Sequence, residues 1–302
     1  MDQINKYAWL AATIYNAKNG ITFDEINLKW QEDTDISEGK KLPKSTFHRW
    51  RVDIETLFDV KIACDPKNDY AFYVENRESL AEGSFANWLF NNVSMSNFLL
   101  AYRQFKDRIS LPEIPMGQDL LPIILDAMKQ GILIQLTYKK FKSLEPYTHD
   151  FEPYGIKLFK QRWYVIGRNP GDGRILLYPL DRIRQLALLP DKHFDMPDTF
   201  SLADHFEHCY GVFGGGSAIP ETVRLKVATK TVDYLRTLPL HPSQKEIKTE
   251  PDYSIFELRL QPAHDFQIEI LSHTPDIEVL SPKSLRKEIA EKIRKMNKIY
   301  GK

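Results

Sequence analysis

Cysteine is scarce. Two residues, Cys64 and Cys209, stand among 302, too few for a disulfide scaffold, so apolar cores must hold the fold. Both lie in apolar or aromatic sequence and read as small buried hydrophobes. Metal-ligand spacings are absent: there is no CxxC pair and no HExxH. The GxGxxG and GxxxxGK[ST] signatures of phosphate-cradling loops are missing too. No apolar run approaches the roughly 18 residues of a membrane span. The opening MDQINKYAWLAATIYNAKNG has neither a basic leading region nor a small-residue cleavage site. Membrane spanning and export are therefore not expected, and the expected location is cytoplasmic. Net charge is also lacking, with 41 basic residues against 41 acidic. That balance argues against an indiscriminate polyanion binder but leaves room for local basic patches.

What is present suits ordinary globular cores: 42% hydrophobic and 27% charged residues in a length comfortable for two or three domains. Charge does segregate. Residues 40–61 hold six Lys or Arg and three acids, and residues 283–302 hold eight and two.

Apolar residues Tyr7, Leu10, Ala11, Ile14 and Tyr15 predict a helix over Ile4–Ala17, stopped by Asn19-Gly20. Thr22 can cap a second helix containing Ile26, Leu28 and Trp30, which gives way to an acidic loop, Gln31–Gly39. A third helix is predicted over Pro43–Phe58, with Phe47, Trp50, Ile54, Leu57 and Phe58 on its inner face. Its opposite face carries Lys44, Ser45, His48, Arg49 and Arg51. Two β-prone runs, Val60–Ala63 and Tyr70–Val74, flank the turn-forming Asp65-Pro66-Lys67-Asn68-Asp69 and predict a hairpin. Three helices and a hairpin describe a winged helix-turn-helix over residues 1–77, whose third helix would enter the major groove.

A helical connector is expected over residues 78–130, rich in Phe85, Trp88, Leu89, Phe90, Phe98, Leu99, Leu100 and Phe105. Such a segment must pack on the rest of the chain or form a subunit interface. Residues 131–190 read as short strands, Ile132–Tyr138, Thr148–Pro153, Gly155–Phe159, Arg162–Asn169 and Arg174–Pro179, fitting a small, strongly curved barrel. Leu180-Asp181-Arg182-Ile183 would close it. Between Tyr154 and Arg184, seven basic residues (Lys157, Lys160, Arg162, Arg168, Arg174, Arg182, Arg184) stand against Asp172 and Asp181. Residues 191–220 read as a linker with a flexible aromatic-glycine segment, Tyr210–Gly216. Residues 221–302 mix strands and helices into a C-terminal α+β domain. The expected fold class is thus multidomain α+β.

Pro153-Tyr154-Gly155-Ile156, Gln161-Arg162-Trp163-Tyr164-Val165 and Leu180-Asp181-Arg182-Ile183 together resemble the WYL-domain transcriptional regulators. Val279–Ile289 looks like the ending of that family's C-terminal WCX extension. The resemblance implies an N-terminal helix-turn-helix, a WYL barrel of Sm or SH3-like form, a nucleotide or nucleic-acid-like effector, and a homodimer. Two departures stand out. Leu176 and Pro179 occupy places where the family often has Arg, and Ser45-Thr46-Phe47-His48-Arg49-Trp50 replaces the family's usual reader pattern.

The expected function is a ligand-responsive, DNA-binding transcription regulator without catalytic residues or cofactors. Its alternatives are a non-DNA-binding intracellular scaffold and a nucleic-acid-processing enzyme. The candidate DNA-binding residues are Lys44, Ser45, Thr46, His48 and Arg49, with Arg51, Lys61 and Lys67 on phosphates. Trp163 and Val165 should face the barrel core and Tyr164 the accessible side, because neighbours on a strand alternate. An exposed aromatic among arginines suits a base stacked on a ring with its phosphates held by guanidinium groups. The resemblance makes that surface the effector site, with Tyr154, Tyr164, Arg168, Arg174, Arg182, Lys139 and His149 as candidates. The expected partners are a double-stranded DNA operator, a single-stranded nucleic acid or nucleotide effector, and a second copy of the chain.

Overall fold

The structure, a computed structural model, describes residues 3–80, 84, 86–89, 91–92, 95, 107–110, 117–140, 145–216 and 219–301. It divides into two compact units, Met1–Pro112 and Glu113–Lys302.

In the first unit, α1 (Gln3–Asn16) buries Ala8, Leu10, Ala11 and Ile14. Helix α2 (Phe23–Glu32) starts at a reciprocal cap: the Glu25 N–H donates to the Thr22 hydroxyl, and the Thr22 N–H donates to the Glu25 carboxylate at 2.8 Å. A single turn, α3 (Thr34–Ser37), forms inside the stretch expected to be loop. Helix α4 (Lys44–Phe58) begins after Pro43 and turns Phe47, Trp50, Ile54 and Phe58 inward. Leu57, expected on that face, is 39% exposed instead. At 100° per residue it falls just past Trp50, at the edge of the stripe that Trp50, Ile54 and Phe58 define. Trp30 packs edge-on against both Trp9 and Trp50, and Phe47 against Phe23 and Phe72.

Strands β1 (Ile62–Asp65) and β2 (Ala71–Val74) form the expected hairpin, with Ile62 opposite Val74. Ile21 adds a third rung: its N–H donates to the Phe72 carbonyl at 2.9 Å, and the Phe72 N–H returns the bond at 2.8 Å. Gly20 just before it has φ +82°, and a Cβ there would lie 3.0 Å from that of Ala71, so glycine fits where the loop meets the hairpin. Within the expected helical connector, Phe85, Phe90, Phe98, Leu99, Leu100 and Phe105 lie outside the described residues.

In the second unit, helix α5 (Leu121–Gln130) places Ile124 and Ala127 in one apolar cluster with strands β3 (Ile132–Tyr138), β4 (Tyr147–Phe159), β5 (Arg162–Arg168), β6 (Ile175–Pro179) and β7 (Ile183–His193). These strands form one antiparallel sheet in the order β6-β5-β4-β3-β7. The three-residue turn Leu180–Arg182 carries the chain from β6 at one edge to β7 at the other, so the sheet must curl strongly. No pairing between β6 and β7 appears among the described residues, so the sheet is curled there without a hydrogen-bonded closure into the expected barrel. Strand β4 runs unbroken where two strands were expected. The Pro153-Tyr154-Gly155 break is absorbed as a shift of register against β5.

The remaining elements are α6 (Leu202–Phe206), β8 (Glu221–Ala228), α7 (Thr229–Thr237), β9 (Lys245–Thr249), β10 (Tyr253–Leu260), α8 (His264–Ser272), β11 (Ile277–Ser281) and α9 (Lys283–Tyr300). The second sheet has the antiparallel order β11-β8-β10-β9, the arrangement of a split β-α-β fold. Val223, Leu225 and Val227 alternate inward on β8, and Phe256, Leu258 and Leu260 on β10. Val232, Leu235, Phe266, Ile270, Leu285 and Ile289 meet them from the three longer helices.

Candidate nucleic-acid and effector sites

The face of α4 opposite its buried stripe carries Lys44, Ser45, His48 and Arg49, all exposed, with Thr46 and Arg51 half-buried. The helix starts at Pro43 without a side-chain cap, so the N–H groups of its first turn have no side chain over them. The Lys44 ammonium sits 5.5 Å above the Phe23 ring, and the His48 imidazole stands edge-on to Phe47. Lys67 is exposed in the turn of the hairpin. Lys61 lies at the hairpin base and is ion-paired with Glu75, which lowers its availability to a phosphate. A cleft of about 300 Å³ lies between the starts of α2 and α4 and the hairpin tip, where Lys44, His48 and Tyr70 meet.

The seven effector candidates do not converge; they divide between the two faces of the β3–β7 sheet. On the core side, Tyr147 and His149 stack at 5.2 Å and 17°. The Tyr178 hydroxyl lies 3.1 Å from His149 Nε2, and burial pushes the imidazole pKa down, keeping it neutral at neutral pH. Arg182 donates from Nε and Nη2 to the Lys139 carbonyl at 3.2 and 2.9 Å, and its guanidinium lies 4.8 Å from the Tyr138 ring centroid. Arg182 thus ties the end of β3 to the 180–182 turn through a backbone carbonyl.

On the other side, Glu152 stands opposite Arg168 in register. Arg168 donates from Nε to Oε2 at 2.6 Å and from Nη2 to Oε1 at 2.8 Å, a fork matched to the carboxylate. The Tyr154 hydroxyl donates to the same Oε2 at 2.8 Å. Burial alone would raise the Glu152 pKa. Hydrogen bonds from Arg168 and Tyr154 outweigh it and hold the carboxyl below its ordinary value. The same burial, with the carboxylate beside it, pushes the Tyr154 phenol up to about 12. Tyr154 is therefore a correction to the accessible set: it is 4% exposed and packed against Phe194 and Phe200. Arg174 pairs with Asp172 on the outer hairpin, away from Arg168's partners. Val165 is buried in the core with Trp163 packed against it, while Tyr164 is half-exposed on the face that carries Lys157 and Arg168.

Sequence reading missed Glu152, the residue that organises this face. Its signal was an acid two positions before Tyr154, which names no partner until the β4–β5 register is known. Arg162 was read only as part of the basic count, and it pairs with Asp181.

Family models match the chain in two blocks: a WYL domain over residues 119–188 and a WCX domain over residues 219–296. This is a WYL- and WCX-domain protein. Protein PafB of Mycobacterium tuberculosis and of Mycobacterium bovis are each 24% identical over 181 residues, 59% of this chain and 53% of theirs. The chain spans about half the length of the curated relatives it matches. Among solved structures, proteasome accessory factor B/C of Arthrobacter aurescens superposes with a TM-score of 0.39 at 15% identity, covering 96% of this chain and 46% of that one. A CRISPR Cas-related protein superposes with a TM-score of 0.41 at 13% identity, covering 99% and 84%.

The WYL and WCX domains meet through the stretch expected to be a flexible linker. Residues 194–206 roof the Tyr154 face, and the Lys157 ammonium lies 3.6 Å from the Phe206 ring centroid. The glycine-rich segment that follows is pinned. The Val212 and Phe213 N–H groups donate to Asp265 Oδ2 at 2.8 and 3.1 Å, and the Gly215 N–H donates to Gln261 Oε1 at 3.2 Å. Tyr210 sits between Phe159 of the WYL sheet and Phe266 of α8. Lys160, in the turn after β4, pairs with Glu269 of α8 at 3.0 Å. A Cβ at Gly211 would lie 2.4 Å from Phe159 Cζ and 2.5 Å from Asp265 Oδ2, so only glycine lets the segment pass.

Proposed function

We propose that the protein is a ligand-responsive, DNA-binding transcription regulator. Its first unit acts as a winged helix-turn-helix, and its WYL domain senses a nucleotide or nucleic-acid-like effector. The observation that carries the reading is α4: one face is buried among aromatics, and the other presents Lys44, Ser45, His48 and Arg49 to solvent beside a hairpin locked to Ile21. A helix of that kind reads base edges with its outward side chains, while neighbouring cations position it on phosphates. The WYL and WCX assignments support the regulatory half. The chemistry is recognition, not catalysis.

In this reading residues 1–77 form the reader, 78–130 the connector, 131–190 the sensor and 221–302 the WCX domain, with the protein working as a homodimer on a two-part operator. On the sensor, Tyr164 and Arg168 are the favoured effector contacts. Tyr164 is half-exposed, and Arg168 keeps 42% of its side chain in solvent while bound to Glu152. An effector changes DNA affinity only by binding two arrangements of the protein unequally.

The test begins with selection of duplexes from a random-sequence pool by the full chain, followed by affinity measurements on the selected sequence. The double variant His48→Ala/Arg49→Ala is expected to lose sequence preference, whereas Lys67→Ala lowers the salt dependence. Unchanged affinity in the double variant would remove α4 from the role of reader.

A further inference from the structure

The hairpin tip holds a residue that its backbone does not favour. Asn68, Asp69, Tyr70 and Ala71 form a tight turn closed by the Ala71 N–H donating to the Asn68 carbonyl at 2.8 Å. Its two central residues, Asp69 and Tyr70, have φ +45° and +57°. Positive φ at both centres defines the mirror-image turn that suits two-residue hairpins, and Asn-Gly or Asp-Gly is the pair it prefers. Tyrosine has a Cβ that crowds the backbone in this region, so glycine would fit better for folding alone. The surroundings nonetheless hold the turn firmly. Asn68 Nδ2 donates to the Asn19 carbonyl at 2.9 Å, Cys64 Sγ to the Tyr70 carbonyl at 3.3 Å, and Ile21 and Phe72 exchange both backbone bonds. What this rigid, strained turn displays is a phenol 66% exposed, at the mouth of the cleft that begins α4.

Backbone strain that persists because its surroundings over-determine it marks positions where a side chain has a task besides folding. Resting on the DNA-binding reading above, we propose that Tyr70 is a DNA-backbone contact. Its ring lies on a deoxyribose flanking the groove entered by α4, and its hydroxyl donates to the adjoining phosphate. The cleft lining sets Asp24 and Asp69 against Lys44, so it offers an anion no surplus of positive charge. A neutral donor that projects from the rim can reach a phosphate lying outside the cleft. Lys67, exposed in the same turn, supplies the positive charge beside it. Such a contact sets register and orientation and carries no base preference.

The experiment compares full-length wild type, Tyr70→Phe and Tyr70→Gly on duplexes selected from a random pool by the wild type. It reads affinity on the selected sequence and on single-base variants, hydroxyl-radical protection, and Tm. Tyr70→Gly is expected to bind about 5- to 30-fold more weakly. The loss should be uniform across the base variants, with protection gone from the flanking sugars and Tm equal to or above wild type. Tyr70→Phe is expected to fall between the two. Binding by Tyr70→Gly within roughly twofold of wild type overturns the contact and leaves the DNA reading standing. A loss that varies with the base, or one that accompanies a lower Tm with flanking protection retained, overturns it as well. If the wild type selects no duplex at all, both readings fall together.

Discussion

Replacing Glu152 by glutamine should loosen the WYL domain by an amount the geometry fixes within narrow limits. The carboxylate is 4% exposed and accepts three hydrogen bonds, two from Arg168 and one from Tyr154. Glutamine keeps the shape but offers one oxygen and one amide nitrogen. Whichever way it turns, an N–H group faces an N–H or O–H donor, and at least one charge-assisted bond is lost. Such bonds contribute about 1.5–3 kcal/mol each. Relief from burying a charge offsets part of that, and the solvent exposure of the Arg168 side chain, 42%, screens more of it. The net cost comes to about 2 kcal/mol, or roughly 4–8 °C in Tm for a unit of this size. The sign with pH follows from the depressed Glu152 pKa. Its stabilisation is complete above the ordinary glutamate value of 4.5 and is lost as pH falls through the lower folded value. Urea titrations of wild type and Glu152→Gln should therefore differ fully at neutral pH and converge in acid. Equal stability at neutral pH, or a gap that widens in acid, would refute the role given to this carboxylate.

Two further outcomes follow from local geometry. Gly211→Ala should destabilise the second unit by about 1–3 kcal/mol, because its Cβ must displace Phe159 or Asp265; differential scanning calorimetry and limited proteolysis after residue 206 would both register it. Thr22→Ala should cost the first unit about 1 kcal/mol through loss of the α2 cap, read by urea denaturation.

How much of this was legible beforehand depended on where order came from. Helix α4 could be read because Pro43 and the spacing of Phe47, Trp50, Ile54 and Phe58 are local signals, and the hairpin because its turn residues are. The β4 strand was split in reading, since Pro153-Tyr154-Gly155 looks like a break in one dimension and becomes a bulge only once β5 lies beside it. The stretch from 194 to 216 carries no periodicity. Its order comes from partners far away in sequence, Tyr154, Gln261 and Asp265. The candidate site suffered in the same way. Basic residues were easy to count, but Glu152, which claims Arg168, and the Lys139 carbonyl, which claims Arg182, appear only with the register. Strand β9 escaped notice because none of its side chains is buried, and so no alternation marks it.

That same strand bears on how the protein behaves at high concentration. Among the described residues strand β9 pairs on one side only, with β10, which leaves its other side as an edge of backbone donors and acceptors. An uncovered edge of this kind is a template on which a second chain can add a strand and begin aggregation. Here the exposed sequence is Lys245-Glu246-Ile247-Lys248-Thr249, with charge on both sides of its single large apolar residue. Glu246 is held by Arg236, and Lys248 by Glu250, so the charges are fixed beside the edge. A growing strand would have to bury them. Removing Lys245 and Lys248 together would take away that guard without touching any core, and the cost would appear as reduced colloidal solubility with little change in Tm.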